Sequence, residues 1–201
     1  MPSIYDLKPK FQNLLRPIVT GLANAGVTAN QVTISALVLS FIAGGLVALQ
    51  PDAGWPLLLV PLVLFVRMAL NAIDGMLARE HNMKSPLGAI LNELGDVLSD
   101  TALYLPLAVV PGVSAFWIVI VVILSIVSEM TGVIAIQIGA QRRYDGPMGK
   151  SDRAFVFGVI ALIIGLGTSP HYWLSIVLAA MSLLLIVTIV NRTACALKEL
   201  R

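Results

Sequence analysis

Two segments of the chain carry acidic and amide side chains at helical spacing. Residues three or four positions apart share one face of a helix. The residues on these two faces are Asn71, Asp74 and Ala78 in the first segment, and Gly88, Asn92, Asp96 and Asp100 in the second. Carboxylate and amide oxygens are the ligands that Mg²⁺, Mn²⁺ and Ca²⁺ prefer, so two such faces could meet around a cation.

Small and basic residues beside these faces point to a phosphate ligand. Gly75 and Gly88 leave no side chain next to the acids, so a ligand or a second helix can approach closely. Arg79 adds a planar guanidinium that can grip a phosphate oxygen. No cluster of cysteine and histidine accompanies the acids to indicate zinc. The segments together predict a metal-assisted phosphate site.

The composition places this site in a membrane protein. Hydrophobic residues make up 58% of the 201 residues and charged residues 12%, with a mean hydropathy of +0.91. In a water-soluble protein, charged residues normally make up about a quarter or more of the surface residues alone. Carboxylates are costly within membrane helices unless they serve a function, which makes the two acidic segments the expected functional site.

The predicted fold is all-α and polytopic, a single domain over residues 1–201. Uncharged stretches separated by glycine, proline or charged residues predict six transmembrane helices. Their predicted ranges are 31–50, 55–79, 86–110, 115–140, 152–168 and 172–191. Asn30 is the predicted cap of the first span. Apolar residues recur at helical spacing between Ile4 and Ile18, which predicts an amphipathic surface helix rather than a cleaved signal peptide.

The distribution of lysine and arginine predicts the orientation. The connections that contain neither residue are 51–55, 111–114 and 168–172. Every lysine and arginine except Arg67 lies in the two termini or in the connections 79–85 and 141–153. By the positive-inside rule, both termini and the acidic site are expected on the cytoplasmic side of the cell's inner membrane.

The two segments resemble the signature of the CDP-alcohol phosphotransferases, integral membrane enzymes that make phospholipids. That signature reads Asp-x-x-Asp-Gly-x-x-Ala-Arg, then eight residues, then Gly-x-x-x-Asp-x-x-x-Asp. The residues in register are Asp74, Gly75, Ala78, Arg79, Gly88 and Asp96, six of the eight fixed positions. The six-span layout with a surface helix is also similar to the family, so the resemblance covers the whole chain.

Two signature positions differ from the family. Asn71 and Asn92 stand where the family has its first and third aspartates. An amide carbonyl can coordinate a cation but brings no negative charge, so Asp74 and Asp96 alone could balance one divalent ion. Glu93 and Asp100 could compensate, since Asp100 lies one turn beyond Asp96, about 6 Å along the helix.

The resemblance implies a transferase that moves a phosphatidyl or similar group from a CDP-linked lipid, such as CDP-diacylglycerol, to a small alcohol with release of CMP. It implies a divalent metal, Mg or Mn, and a homodimer in the lipid bilayer; no nucleic-acid partner is expected. Asp96 is the implied catalytic base. The expected metal ligands are Asn71, Asp74, Asn92, Asp96 and Asp100. The residues expected to bind the nucleotide and its phosphates are Asn30, Thr33, Asp74, Gly75, Ala78, Arg79 and Gly88.

Several charged residues have two open interpretations. Arg67 projects toward the acidic face, either to pair with an acid or to bind a phosphate. Glu129, within the fourth span, either completes a polar cavity or pairs with a basic residue. Lys150 and Arg153 either reach the mouth of the site or serve topology, the role expected of Arg142 and Arg143. A phosphorylated acceptor would suit these basic residues.

Two other functions compete with the transferase. One is a membrane prenyltransferase of the UbiA type, since Asn92-x-x-x-Asp96-x-x-x-Asp100 is similar to that family's metal-binding repeat. A second acidic motif and about nine spans would be required, and the sequence has neither. The other is a non-catalytic binder of CDP-lipid or nucleotide, for which the two asparagines are the sequence argument.

Overall fold

The computed structural model describes residues 4–200, with side chains from residue 11 onwards. This part of the chain is helical and contains no strand, which confirms the all-α prediction. The helices are α1 (Ile4–Asn24), α2 (Ala29–Leu49), α3 (Gly54–Glu80), α4 (Pro86–Tyr104), α5 (Ala115–Gln137), α6 (Lys150–Gly165) and α7 (Tyr172–Glu199). A short 3₁₀ helix, Leu105–Val109, follows α4, where Pro106 cannot donate a backbone hydrogen bond to continue the α-helix.

Four of these helices are long and apolar enough to cross a membrane, namely α2, α3, α5 and α7. The other two candidates are shorter: α4 has 19 residues and carries three acids, and α6 has 16 residues. The number of spans therefore stays a prediction, as does the position of α1 along the membrane surface.

Two of the helices, α2 and α4, begin with side-chain caps. Thr28 caps α2 in a capping box, since Gln31 N donates to Thr28 Oγ1 at 3.3 Å and Thr28 N donates to Gln31 Oε1 at 2.9 Å. Ser85 caps α4 by accepting from Gly88 N at 2.9 Å. The prediction that Asn30 caps α2 is wrong, because the cap lies two residues earlier and Asn30 lies within the first turn.

Close helix contacts bring α2 against α4. A Cβ on Gly44 would lie 1.8 Å from the carbonyl oxygen of Ala102, so only glycine permits this approach. Nearer the helix starts, a Cβ on Gly88 would lie 2.7 Å from Asn30 Oδ1. The first turns of α2 and α4 therefore meet directly, and α3 packs against α2 to complete the site.

The three connections that lack lysine and arginine lie at one end of the molecule. A Cβ on Gly54 would lie 2.7 Å from Gly165 O, and a Cβ on Gly112 would lie 3.2 Å from a Pro170 side-chain carbon. At the other end, Arg143 pairs with Glu199 near the carboxy terminus at 2.8 Å. The charge pattern along the sequence thus corresponds to two distinct ends of the fold.

Cysteine labelling tests the predicted orientation. In a Cys195→Ser background, single cysteines replace exposed residues at the end that lacks lysine and arginine, Asp52 and Ser169, or at the basic end, Asn82 and Tyr144. We expect a membrane-impermeant maleimide to label intact cells at the first pair only, because the basic end should face the cytoplasm. All four positions should react after permeabilisation. Labelling of a cysteine at position 82 or 144 in intact cells would contradict the predicted orientation.

Candidate functional site

A polar cavity of about 410 Å³ lies between α2, α3 and α4. Its walls contain all the residues predicted to bind the nucleotide and its phosphates, and two of the predicted metal ligands, Asp74 and Asn92. These residues are Asn30, Thr33, Asp74, Gly75, Ala78, Arg79, Gly88 and Asn92. The tertiary structure therefore brings the two signature segments together with the start of α2.

Asp74 is the buried acid of this cavity. Its side chain is 5% exposed, and Thr33 Oγ1 lies 2.8 Å from its Oδ2 as a hydrogen-bond donor. Arg79 folds back over Gly75, since a Cβ at that glycine would lie 3.0 Å from the Arg79 guanidinium. The glycine thus leaves room for a basic side chain close to the buried carboxylate.

Asp96 lies at the junction of α3, α4 and α6. Its Oδ1 accepts a hydrogen bond from Asn71 Nδ2 at 3.2 Å and forms a salt bridge with the Lys150 ammonium. The guanidinium of Arg67 donates to the Asp96 backbone oxygen at 3.2 Å and lies 3.9 Å from Oδ1. Lys150 therefore reaches the site, which answers one of the questions left open by the sequence.

A second cavity, of about 470 Å³, lies between α3 and α6. Most of its lining is apolar, for example Pro61, Phe65 and Leu162. The polar side chains in its wall are Arg67, Asn71, Lys150 and Ser151. Because Asn71 lies in this wall and Asp74 lies in the wall of the polar cavity, the two cavities approach each other at the acidic face of α3.

Asp100 belongs to a buried set of ion pairs rather than to either cavity. Its Oδ1 lies 2.6 Å from Arg67 NH2, and its Oδ2 lies 3.1 Å from Arg153 NH2. Both carboxylate oxygens are thus held by arginines, and the structure does not support Asp100 as a metal ligand. Arg67 therefore pairs with an acid, which was one of its two predicted roles; the other was to bind a phosphate.

Glu129 joins three arginines in the same region. Its Oε1 lies 3.0 Å from Arg153 NH2 and 3.4 Å from Arg192 NH1, and its Oε2 lies 3.3 Å from Arg142 NH2. Arg142 also makes a bidentate pair with Glu93 at 2.5 and 2.6 Å. We call these residues the buried ion-pair network: Arg67, Glu93, Asp100, Glu129, Arg142, Arg153 and Arg192.

Sequence reasoning missed two members of this network. On sequence grounds Arg142 is expected to serve topology, and Arg192 is not singled out. The sequence signal that could have identified Arg192 is its spacing. It shares one helix face, at successive steps of three and four residues, with Leu185, Thr188 and Ala196, and the structure buries this face. An arginine on the buried face of a membrane helix requires an acidic partner.

Arg143 behaves as a surface residue, in contrast to its neighbour. It pairs with Asp145 and Glu199, each at 2.8 Å, at the exposed basic end. The hydrogen bond from Arg143 holds the pKa of the Asp145 carboxyl below its usual value. Arg143 therefore fits the topological role expected for the basic residues of this connection.

The donor set fits one divalent cation. Among the described residues, no three His, Cys, Asp or Glu side chains converge into a ligand group. Asp74 and Asp96 supply two negative charges, and Asn71 and Asn92 supply neutral amide oxygens on the same two helix faces. Since two carboxylates balance one divalent ion, the chemistry of this set suits a single Mg²⁺ or Mn²⁺.

Comparison with known proteins supports the resemblance to the CDP-alcohol phosphotransferases independently of the site geometry. The sequence model of the family described as CDP-alcohol phosphatidyltransferase matches residues 26–190. The inner membrane protein YnbA of Escherichia coli is 46% identical over 192 residues, which cover 94% of each chain. The archaetidylinositol phosphate synthase of Pyrococcus horikoshii is 32% identical over 102 residues, covering 51% of this chain and 52% of the synthase.

Solved structures of a Mycobacterium tuberculosis enzyme share the fold. The phosphatidylinositol phosphate synthase PgsA1 with CDP-DAG bound superposes with a TM-score of 0.75 at 21% identity, covering 90% of this chain and 92% of that chain. The same enzyme in complex with manganese and citrate gives a TM-score of 0.75 at 21% identity, with 90% of this chain and 87% of that chain covered.

Proposed function

Because the chain belongs to the CDP-alcohol phosphatidyltransferase family, as its signature residues predicted, we propose that it transfers a phosphatidyl or similar group from a CDP-linked lipid to an alcohol and releases CMP. The observation that carries the proposal is the polar cavity, whose walls gather the signature residues of both segments. The family assignment also removes the prenyltransferase alternative. The similarity to an E. coli inner membrane protein supports the same location for this chain.

The two cavities suit the two halves of a CDP-linked lipid. The polar cavity between α2, α3 and α4 offers Asn30, Thr33 and Arg79 to a nucleotide and its phosphates. The apolar cavity between α3 and α6 offers a hydrocarbon surface to acyl chains. The diphosphate would then lie between them, beside Asn71 and Asp74. PgsA1, which has the same fold, has been solved with CDP-DAG bound.

The proposed reaction assigns a role to each residue near Asp96. The alcohol oxygen bonds to the lipid-linked phosphorus, the bond from that phosphorus to the bridging oxygen breaks, and CMP leaves. Asp96 accepts the alcohol proton, while Asn71 and Lys150 hold its carboxylate in position. A divalent cation held by Asp74, Asp96, Asn71 and Asn92 would neutralise charge on the diphosphate. Arg79 and Lys150 add fixed positive charges at the same centre.

A CMP-release assay tests the proposed function. The purified protein is incubated in detergent micelles with CDP-diacylglycerol, Mg²⁺ or Mn²⁺, and a panel of alcohols. We expect CMP release that depends on both the metal and the alcohol. Binding of CDP-diacylglycerol without CMP release for any alcohol would favour the non-catalytic binder instead. Cross-linking in the same micelles tests the homodimer, which stays a prediction.

Titration with Mn²⁺ tests the proposed number of metal ions. We expect one tightly held ion, because the site contributes only the charges of Asp74 and Asp96. Asn92→Asp should tighten binding about tenfold, equivalent to about 1.4 kcal/mol, because it adds a negative ligand on the same face. Electron paramagnetic resonance measures free Mn²⁺ directly and needs no activity.

The matched control for the metal titration is Asn191→Asp, which adds the same charge at an exposed position of α7. It should leave Mn²⁺ affinity unchanged. Two ions held with equal affinity by the unmodified protein would contradict the single-metal proposal.

A further inference from the structure

We propose that the acceptor of this enzyme is an alcohol that carries no phosphate group, and that Glu129 is the residue that sets this preference. The inference rests on the proposed transfer reaction and names the acceptor class of the same site. It starts from two arginines of the buried ion-pair network, Arg153 and Arg192. A guanidinium is a side chain that binds phosphate well, so these residues would suit a phosphorylated acceptor.

These arginines are not accessible to a ligand. Arg153 is 0% exposed and Arg192 is 1% exposed, although each carries a full positive charge. Arg153 donates to Asp100 at 3.1 Å and to Glu129 at 3.0 Å. Arg192 donates to the Ser128 backbone oxygen at 2.6 Å and pairs with Glu129. Their donors are therefore directed into the protein interior.

The carboxylates of the buried ion-pair network nearly balance its arginines. Its four arginines face three carboxylates, and the adjacent Lys150 pairs with Asp96. One positive charge is left over. A phosphate monoester brings about 1.5 to 2 negative charges at neutral pH, so its entry would leave buried negative charge without a partner. Such an uncompensated buried charge is strongly destabilising.

The space next to these arginines is also too small for a phosphate group. The gap lined by Asp100, Tyr104, Glu129 and Arg153 has a volume of about 10 Å³. A cavity of roughly this size holds one water molecule at most. The cavities beside it, by contrast, measure about 410 and 470 Å³. Glu129 and Asp100 both accept from the same Arg153 nitrogen, so an acceptor phosphate would have to displace one of these carboxylates to contact it.

The basic residues that reach the two large cavities either pair with acids or lie in the wall proposed for the donor. Within the described part of the chain they are Arg67, Arg79, Lys84 and Lys150. Arg79 and Lys84 lie in the wall proposed for the donor's nucleotide and phosphates. Arg67 and Lys150 pair with Asp100 and Asp96. A phosphate on the acceptor would therefore compete with groups that the reaction already requires.

Matched acceptor pairs test the proposal on the unmodified protein. The CMP-release assay compares kcat/KM for glycerol with glycerol 3-phosphate, and for myo-inositol with inositol 1-phosphate. We expect the unphosphorylated member of each productive pair to be preferred by at least about tenfold. Faster reaction with the phosphorylated members would overturn the inference while leaving the proposed function intact. No CMP release with any acceptor would overturn the proposed function itself.

Glu129→Gln separates a specificity role from a structural one. The substitution keeps the size of the side chain and removes its charge, which frees positive charge for a ligand. We expect the kcat/KM ratio of phosphorylated to unphosphorylated acceptor to rise by about tenfold. A merely structural role would lower both values together and leave the ratio unchanged, which would overturn the assignment of Glu129.

The matched control for this variant is Asp145→Asn, which removes a carboxylate from the partly exposed pair with Arg143 at the basic end. It should leave the ratio unchanged. If Glu129→Gln fails to fold, the acceptor pairs measured on the unmodified protein still decide the acceptor class.

Discussion

Asp96→Asn should lower alcohol-dependent CMP release by about 10²- to 10⁴-fold while CDP-diacylglycerol binding stays largely intact. The magnitude is that of losing a positioned general base. An amide keeps the size and the hydrogen-bonding oxygen of the carboxylate, so contacts to Asn71 and Lys150 can persist in part. A group that acts only in the transition state affects kcat more than ground-state binding.

Two measurements on each variant provide this test. CMP release at saturating alcohol reports the chemical step, and equilibrium binding of fluorescent CDP-diacylglycerol reports the donor site. Asp74→Asn should impair both, because Asp74 lies in the wall of the polar cavity and is a proposed metal ligand. Asp52→Asn, an exposed position at the opposite end, is the control and should affect neither.

Asp100→Asn tests which acid is the base. Its carboxylate pairs with Arg67 and Arg153, so we expect lower stability and a smaller loss of CMP release per folded molecule than for Asp96→Asn. A larger loss than that of Asp96→Asn would place the base one helical turn deeper along α4.

Arg153→Met should destabilise the fold by about 3 to 5 kcal/mol, the usual cost of removing one partner of a buried ion pair. Arg153 is fully buried, and its loss would leave Asp100 and Glu129 without a shared partner. Reversible unfolding in mixed micelles, followed by circular dichroism, measures the change. Arg143→Met is the matched control, because its pairs with Asp145 and Glu199 lie at the surface, and it should change stability little.

A double-mutant cycle separates charge from packing. Adding Glu129→Gln to Arg153→Met removes one of the two carboxylates that have lost Arg153 as a partner, so the double variant should be more stable than the sum of the single losses predicts. Additive losses would mean that the two side chains do not interact, contrary to their 3.0 Å contact.

The sequence by itself determined that this protein is helical and rich in membrane-length apolar stretches, and it identified the signature residues of the family. These properties are local: apolar stretches long enough to cross lipid require no knowledge of their neighbours. Likewise, the spacing of Asn71 and Asp74, or of Asn92 and Asp96, places them on one helix face whatever the helix packs against. The sequence was therefore sufficient to identify the family signature and the loss of two acidic charges at Asn71 and Asn92.

The tertiary structure alone decided which charges meet. Glu129 pairs with Arg192, 63 positions away, and Lys150 reaches Asp96 from α6. Those pairings depend on the rotation of each helix about its axis and on its distance from its neighbours, neither of which is encoded in local spacing. For the same reason Asp100, which the sequence placed among the metal ligands, proved to be enclosed by two arginines. The balance of charge in the interior follows from helix packing, because a buried arginine is tolerated only where packing supplies its carboxylate.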